Sequence, residues 1–323
     1  MRKLSSAWSG FWFSPEPTST LAIFRIVFAA LTFFWTLSLL PDLWAFFAPD
    51  GVEPPHPIDL AHGDWGVLNL VDTRAVVLAL FIVLLVGSLA LLVGFRTRLA
   101  SIVVFVGIVS FMQRTPSIFN AGDVLIRACA FFLMFAPAGD ALSLDRLRRN
   151  RDSFWEFPSR APWALRLIQV QVSVLYVASV WEKLHGAAWR NGTAVSLSLG
   201  LQDFQRFAAP GFIVHSLVIS TVLTYLTLAV ELMVGLLVWN RAARPLVLAL
   251  GASMHLSIDA GLRVGFFSEA VLTAYLAFLS PAAATACVTA LRRQRSRFAR
   301  ARWRLSPAGE HTAVDVEACS GDV

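Results

Sequence analysis

Residues 164 to 192 read A-L-R-L-I-Q-V-Q-V-S-V-L-Y-V-A-S-V-W-E-K-L-H-G-A-A-W-R-N-G. The run is apolar enough to cross a bilayer, which takes roughly 20 residues at about 1.5 Å each, and it ends on Lys183. The chain holds 27 basic residues, of which only Lys3 and Lys183 are lysine. Arginine supplies nearly every generic positive charge, so a lysine kept here asks for a chemical reason. In a water-poor site a lysine can give up its proton and persist as a neutral amine, whereas a guanidinium stays charged. A neutral amine can accept a proton.

Working outward, the 323 residues are 57% hydrophobic and 15% charged with a mean hydropathy of +0.65, far more apolar than a soluble domain. Apolar runs at 21 to 40, 75 to 95, 99 to 113, 123 to 138, 164 to 184, 212 to 239, 245 to 258 and 266 to 281 predict an all-α, polytopic transmembrane bundle of about eight helices. The third, fourth and seventh runs are shorter than a full span, which leaves a tilted or re-entrant path open for each. Trp8, Phe11, Trp12 and Phe13 mark residues 1 to 20 as an interfacial leader. No small-residue cleavage site follows a short apolar core there, so the first span is expected to stay in the mature chain.

Charge orients the bundle. With alternating sides from an inner N-terminus, 18 of the 27 basic residues fall on the inside and five on the outside. Both termini inside satisfies the positive-inside rule, and an odd number of spans would not. The loop from 41 to 74 carries Asp42, Asp50, Glu53, Asp59, Asp64 and Asp72 against one arginine, and is expected outside. Residues 283 to 304 form a basic membrane-surface segment. Its arginines from Arg292 to Arg304, interleaved with Phe298 and Trp303, read as an anchor to anionic lipid rather than to nucleic acid. Residues 305 to 323 read as a disordered tail. Cys129, Cys287 and Cys319 supply no disulfide framework, and the sequence contains no phosphate loop, H-E-x-x-H or G-x-S-x-G motif. Any chemistry is expected inside the bundle.

On a helical wheel Arg166, Gln169, Ser173, Tyr176 and Lys183 share one face of the fifth helix. Gln169 and Ser173 are expected to hydrogen-bond neighbouring helices. Lys183 lies 19 residues beyond Ala164, about 28 Å along the axis, near the outer edge of the hydrocarbon. Two readings stay open there: an ammonium that snorkels to water, or a functional amine. Arg25, Arg127, Glu231, His255 and Asp259 also fall at membrane depth and should be paired, Glu231 with an arginine or with Lys183, and His255 with Asp259 one turn on. No metal site is expected, because no second histidine stands at helical ligand spacing from His255.

Several of these segments, in order, are similar to a known family. L-A-I-F-R-I-V-F-A in the first span, L-L-V-G-F-R-T-R-L at 91 to 99, F-N-A-G-D at 119 to 123, the 174 to 192 stretch and M-H-L-S-I-D-A-G-L at 254 to 262 resemble the membrane domain of vitamin K-dependent γ-carboxylase, the horizontally transferred transmembrane or HTTM domain. The likeness covers residues 21 to 282. It implies that Lys183 is the catalytic general base that deprotonates a reduced, vitamin K-like quinone, and that Arg25, Asn120 and His255 line the substrate pocket. Tyr176 and Glu231 join them as pocket candidates from the reading of the polar helix face and the buried charges.

The departures from the family pattern bear on the reaction. The carboxylase follows its asparagine with a histidine, whereas this chain reads Asn120-Ala121-Gly122-Asp123, with Asp123 one possible substitute. Residues 283 to 323 are too few for the large lumenal domain that presents glutamate, so protein γ-carboxylation is not the expected activity. Two functions are carried forward. One is a quinol-linked enzyme of a multi-pass cell membrane, read as bacterial from the arginine-rich composition. The other is a non-enzymatic accessory protein in maturation or export of a secreted peptide, its acidic outer loop facing a cationic partner.

Overall fold

The computed structural model describes residues 2–53 and 65–305, with side chains for 5–53 and 65–294. Asp59 and Asp64 of the acidic 41 to 74 loop, the tail from 306 and the side chains from 295 onward lie outside the described residues. The described residues are mostly helical. The first helix, α1 (Arg2–Phe13), is joined by a two-residue strand, β1 (Glu16–Pro17), to α2 (Ser19–Ser38). Two short helices, α3 (Leu43–Phe47) and α4 (Val67–Leu70), precede α5 (Arg74–Val93), α6 (Thr97–Arg114) and α7 (Ala121–Phe135). A short α8 (Leu144–Arg149) and β2 (Ser159–Arg160), paired antiparallel to β1, lead into α9 (Trp163–His185). Beyond it come α10 (Ala187–Arg190), α11 (Ala194–Gly200), α12 (Gly211–His215), α13 (Leu217–Leu237), α14 (Arg244–Gly261), α15 (Phe267–Tyr275) and α16 (Pro281–Leu305).

Each of the eight apolar runs is helical, but they are not equivalent as spans. Five helices, α2, α5, α6, α9 and α13, are long and apolar enough to cross a membrane; counting Phe267–Phe278 with Pro281–Gln294 as one span makes six among the described residues. The expectation of about eight therefore exceeds what length and apolarity support. At 15 residues α7 is about 22 Å long, short of the roughly 30 Å hydrocarbon thickness. Helix α14 has the length but carries Ser253, His255, Ser257 and Asp259. The 99 to 113 run, by contrast, extends to 18 residues because Thr97, Arg98 and Arg114 join the helix.

Residues 1–281 form one compact unit, and residues 282–323 a second, described as the body of α16. In the first unit successive helices pack as neighbours, α2 on α5, α5 on α6, α6 on α7, α9 on α13 and α13 on α14, while α15 packs among α2, α7, α9 and α14. That central position explains why α15 buries Ser268, Ala270, Val271, Thr273, Ala274 and Tyr275 on nearly all sides.

Arg25, expected in the substrate pocket, is instead a structural tie. Its side chain is fully buried, and its guanidinium donates to the carbonyls of Ala138 at 2.9 Å, Ala141 at 3.3 Å and Leu142 at 2.6 Å, in the turn between α7 and α8. None of these atoms belongs to the elements that hold Lys183. Three carbonyls accept from the two terminal nitrogens of Arg25, while Nε is buried without a hydrogen-bond partner among the described residues. Gly94 closes the same corner. It ends α5 at φ +69°, the left-handed region that favours glycine, and a Cβ there would stand 2.6 Å from Arg25 Nη1. Asp145 completes it by capping α6, accepting from the Arg96 and Thr97 amides, each at 2.8 Å, and from the Thr97 hydroxyl at 2.7 Å. Partial burial pushes the Asp145 carboxyl up, but these hydrogen bonds outweigh it and hold the group below the ordinary carboxylate range.

Candidate functional site

Helix α9 presents Tyr176, Ser179 and Lys183 at spacings of three and four, hence along one face. Facing it, α13 contributes Glu231. The Lys183 ammonium donates directly to Glu231 Oε1, and the Ser179 hydroxyl donates to Glu231 Oε2 at 3.2 Å. The Glu231 side chain is only 6% exposed and that of Lys183 23% exposed, so the pair is largely removed from solvent. Of the two partners the sequence left open for Glu231, the structure selects Lys183. A reaching, water-seeking lysine would turn its nitrogen outward. Here the nitrogen turns to the neighbouring helix, and the indole face of Trp189 on α10 lies 4.8 Å from it.

One to two turns further in, a second cluster forms. Tyr176 is fully buried, and its hydroxyl meets His255 Nε2 of α14 at 2.8 Å and the hydroxyl of Tyr275 on α15. The Ser268 hydroxyl donates to the His255 carbonyl at 2.9 Å, which fixes α14 against α15. His255 Nδ1 is buried with no hydrogen-bond partner among the described residues, an uncommon state for a ring nitrogen in a packed interior. The two clusters sense each other: Glu231 lies within electrostatic range of both tyrosines, and Lys183 of His255. Gly251 leaves the room this arrangement needs, because a Cβ at that position would clash with the Tyr275 hydroxyl.

One expected pairing differs. His255 does not share a hydrogen bond with Asp259; Asp259 binds Arg206 at 2.7 Å, and the Tyr176 hydroxyl takes the imidazole. The i, i+4 spacing allowed the first arrangement, but Tyr176 fills the interior side of α14 while Arg206 offers Asp259 a charge. Asn120 is occupied structurally. Its Oδ1 accepts from the Gly122 amide at 2.7 Å, and its Nδ2 donates to the Val264 carbonyl at 3.0 Å, so it caps α7 and ties that end to the turn before α15. Asp123, the possible substitute for the absent histidine, accepts from the Asn120 amide at 2.7 Å and from Trp35 Nε1 at 2.6 Å. With both carboxylate oxygens engaged, it completes the cap.

Gln169 and Ser173 of α9 hydrogen-bond neighbouring elements as expected, and Arg166 finds an acid. Gln169 donates to the Ala277 carbonyl at 2.6 Å, Ser173 accepts from Trp239 Nε1 at 2.8 Å, and Arg166 pairs with Glu16. Sequence reasoning missed Tyr275, Ser179 and Trp189. Tyr275 carried a usable signal: it is one of three tyrosines in the chain and the single phenol in the 266 to 281 run.

A bundle of apolar helices with a buried lysine–glutamate bridge beside a Tyr–Tyr–His cluster defines a polytopic membrane protein with ionisable groups held in its interior. The model of the HTTM domain family matches residues 13–282, most of the chain. The protein belongs to the HTTM-domain family. No curated protein and no solved structure matches it.

Proposed function

We propose that the protein is a membrane enzyme that takes a proton from a hydroxyl of a lipophilic, quinol-type substrate, with Lys183 as general base and Glu231 as its proton partner. The observation that carries this reading is the Lys183–Glu231 bridge between α9 and α13, largely out of solvent and covered by the Trp189 ring. When the bridging proton rests on Glu231, Nζ is an amine with a free lone pair. It can then accept a proton from a bound hydroxyl, leaving the substrate as its oxyanion, and the ammonium so formed is held by that oxyanion, the carbonyl oxygen of protonated Glu231 and the Trp189 face.

The residues present fit a reduced quinone. Such a molecule brings an acidic hydroxyl, two electrons and an apolar ring. This chain offers an amine for one oxygen, an indole face for the ring, and in His255 Nδ1 a buried nitrogen without a hydrogen-bond partner among the described residues. Tyr176 and Tyr275 hold that imidazole in place. Arg25 and Asn120 are left out of this proposal, because the Arg25 terminal nitrogens bond backbone carbonyls and the Asn120 amide serves a helix cap.

Several finer features belong to the same proposal. Both termini lie inside, supported by the 18 to 5 division of basic residues. The arginines of α16 meet anionic lipid of the inner leaflet. The membrane is a bacterial cell membrane, supported by the arginine-rich composition. The count of eight crossings requires α7, α14 and α15 to cross as short or tilted helices. The accessory-protein reading would rest on the acidic 41 to 74 loop, of which Asp50 and Asp72 are paired with Arg74 and Arg114.

The test is oxygen consumption by purified protein in micelles given a reduced naphthoquinone. Lys183→Ala and Lys183→Arg should both lose turnover while eluting as wild type, because a guanidinium cannot serve as the base. Full activity of the arginine variant would overturn the assignment. Mass spectrometry of lipophilic molecules that co-purify with wild type and not with Lys183→Ala identifies the substrate class.

A further inference from the structure

The register between α9 and α13 changes where the Lys183–Glu231 bridge sits in the membrane. Three contacts set that register. Trp239 Nε1 donates to Ser173 Oγ at 2.8 Å; a Cβ on Gly235 would lie 3.3 Å from Tyr176 Cβ and 3.1 Å from Val177 Cγ2; and Glu231 binds Ser179 and Lys183. The helices run antiparallel, so α9, which ends at His185, stops about level with Tyr225. Residues 217–225 of α13, about 13 Å at 1.5 Å per residue, extend past the end of α9.

That extension is not a solvent-facing stalk. Leu217, Val218, Val222 and Leu226 are each more than half exposed and all apolar, and the same exposed apolar face continues to Leu236 and Leu237 at the other end of the helix. The 21 residues of α13 measure about 31 Å, close to the roughly 30 Å hydrocarbon thickness. If this face is a lipid face along its length, Glu231 lies 14 residues, about 21 Å, in from the outer end. The reading of Lys183 as a residue at the outer edge used α9 alone and counted from Ala164, without the offset between the two helices.

What stands over the end of α9 is the segment from Ala187 to His215. Gly186 breaks α9, and the chain folds back along the outer third of α13. Ser220 Oγ donates to the Gly192 carbonyl at 3.1 Å, the Val195 amide donates to Thr224 Oγ1 at 3.2 Å, and the Tyr225 hydroxyl donates to the Arg190 carbonyl at 2.7 Å. Its far part is pinned to the end of α14 by Arg206 on Asp259 and by the Arg206 and Arg263 amides on the Gly261 and Phe204 carbonyls. These polar contacts are made to α13 and α14, while the side chains of Arg190, Gln202, Asp203 and His215 are exposed. Away from these two helices the segment presents Leu197, Leu201, Phe204, Phe207 and Phe212, each more than half exposed. A loop between spans in water would not turn five large apolar side chains outward next to an apolar helix face. Acyl chains are the matching occupant, because this surface is continuous with the lipid face of α13.

We infer that residues 187–212 are a re-entrant segment embedded in the outer leaflet, so that the Lys183–Glu231 bridge is enclosed by protein and lipid rather than open to the outer aqueous phase. The inference does not depend on the bridge having any catalytic role.

The test is nitroxide accessibility in phosphatidylcholine–phosphatidylglycerol vesicles. Cys129, Cys287 and Cys319 are replaced by serine or alanine, and single labels are placed at Leu197, Leu201, Phe204, Phe207 and Phe212. Val222 on α13 serves as the lipid reference and Asp50, with a side chain 65% exposed, as the aqueous one. Oxygen partitions into hydrocarbon and a charged or chelated nickel reagent does not, so the oxygen-to-nickel accessibility ratio should exceed one at the segment sites, as at Val222, and fall below one at Asp50. Ratios below one at Leu197, Leu201 and Phe207 would overturn the inference. Only variants that elute as wild type are scored, and all five labelled sites are at exposed positions, so loss of one leaves the rest to decide.

Discussion

Removing Lys183 should destabilise the protein more than removing Lys183 and Glu231 together. In Lys183→Met the Glu231 carboxylate, 6% exposed, keeps only the Ser179 hydroxyl at 3.2 Å as a partner. Stranding one member of a buried ion pair costs about 3–5 kcal/mol, while replacing both members by apolar groups of similar size is often neutral or better. Because Lys183 is 23% exposed, some water reaches the pair, and the lower end of that range applies. For Lys183→Met we expect about 3 kcal/mol, for Glu231→Leu about 2 kcal/mol, and for the double variant less than about 2 kcal/mol. The coupling energy of the cycle is then about 3 kcal/mol, well beyond the 0.3–0.5 kcal/mol scatter of independent sites. Equilibrium unfolding of the four proteins in one mixed-micelle system, followed by circular dichroism, measures it. Losses that add within about 0.5 kcal/mol would show that Lys183 and Glu231 do not pair, and would return Lys183 to the role of a snorkelling interfacial residue.

Other outcomes follow from the same geometry. Gly94→Ala places a Cβ against Arg25 Nη1 and Ser143 at a left-handed backbone position, and should cost more than about 1 kcal/mol in the same unfolding assay. Tyr275→Phe removes the hydroxyl that meets Tyr176 and should cost about 1 kcal/mol while lowering retention of any co-purifying lipophilic molecule; unchanged retention would separate Tyr275 from the pocket. Asp145→Asn should be less stable than wild type at neutral pH. Since the folded-state carboxyl is held below its ordinary range, its contribution is present above the unfolded value of about 3.9 and is lost as pH falls through the folded value. The gap between variant and wild type should therefore close in acid, and a gap that persisted there would contradict the charged-cap assignment.

Much of the fold was legible because its causes are local. Hydropathy marked the helical runs to within a few residues, since each segment must satisfy its backbone within itself. Composition singled out Lys183, and the helical repeat put it on the same face as Tyr176. Hydropathy marked eight runs where length and apolarity together support five or six spans among the described residues, because it scored α7 and α14 by apolar content and did not weigh a short length or a polar inner stripe.

The partners were settled by contacts between residues far apart in the chain. Glu231 is 48 residues from Lys183, Tyr275 is 99 from Tyr176, and the carbonyls that hold Arg25 are more than 110 residues from it. Asn120 and Arg25 matched pocket positions in a linear pattern, yet a helix cap and a ring of carbonyls claimed them once the chain was folded. The sequence by itself determined that the protein is an apolar helical bundle with one unusual lysine on a polar face, because hydropathy and periodicity are properties of neighbouring residues. Only the tertiary structure decided that this lysine turns to Glu231, and how far along α13 the two meet, because the offset between antiparallel helices is a property of their packing.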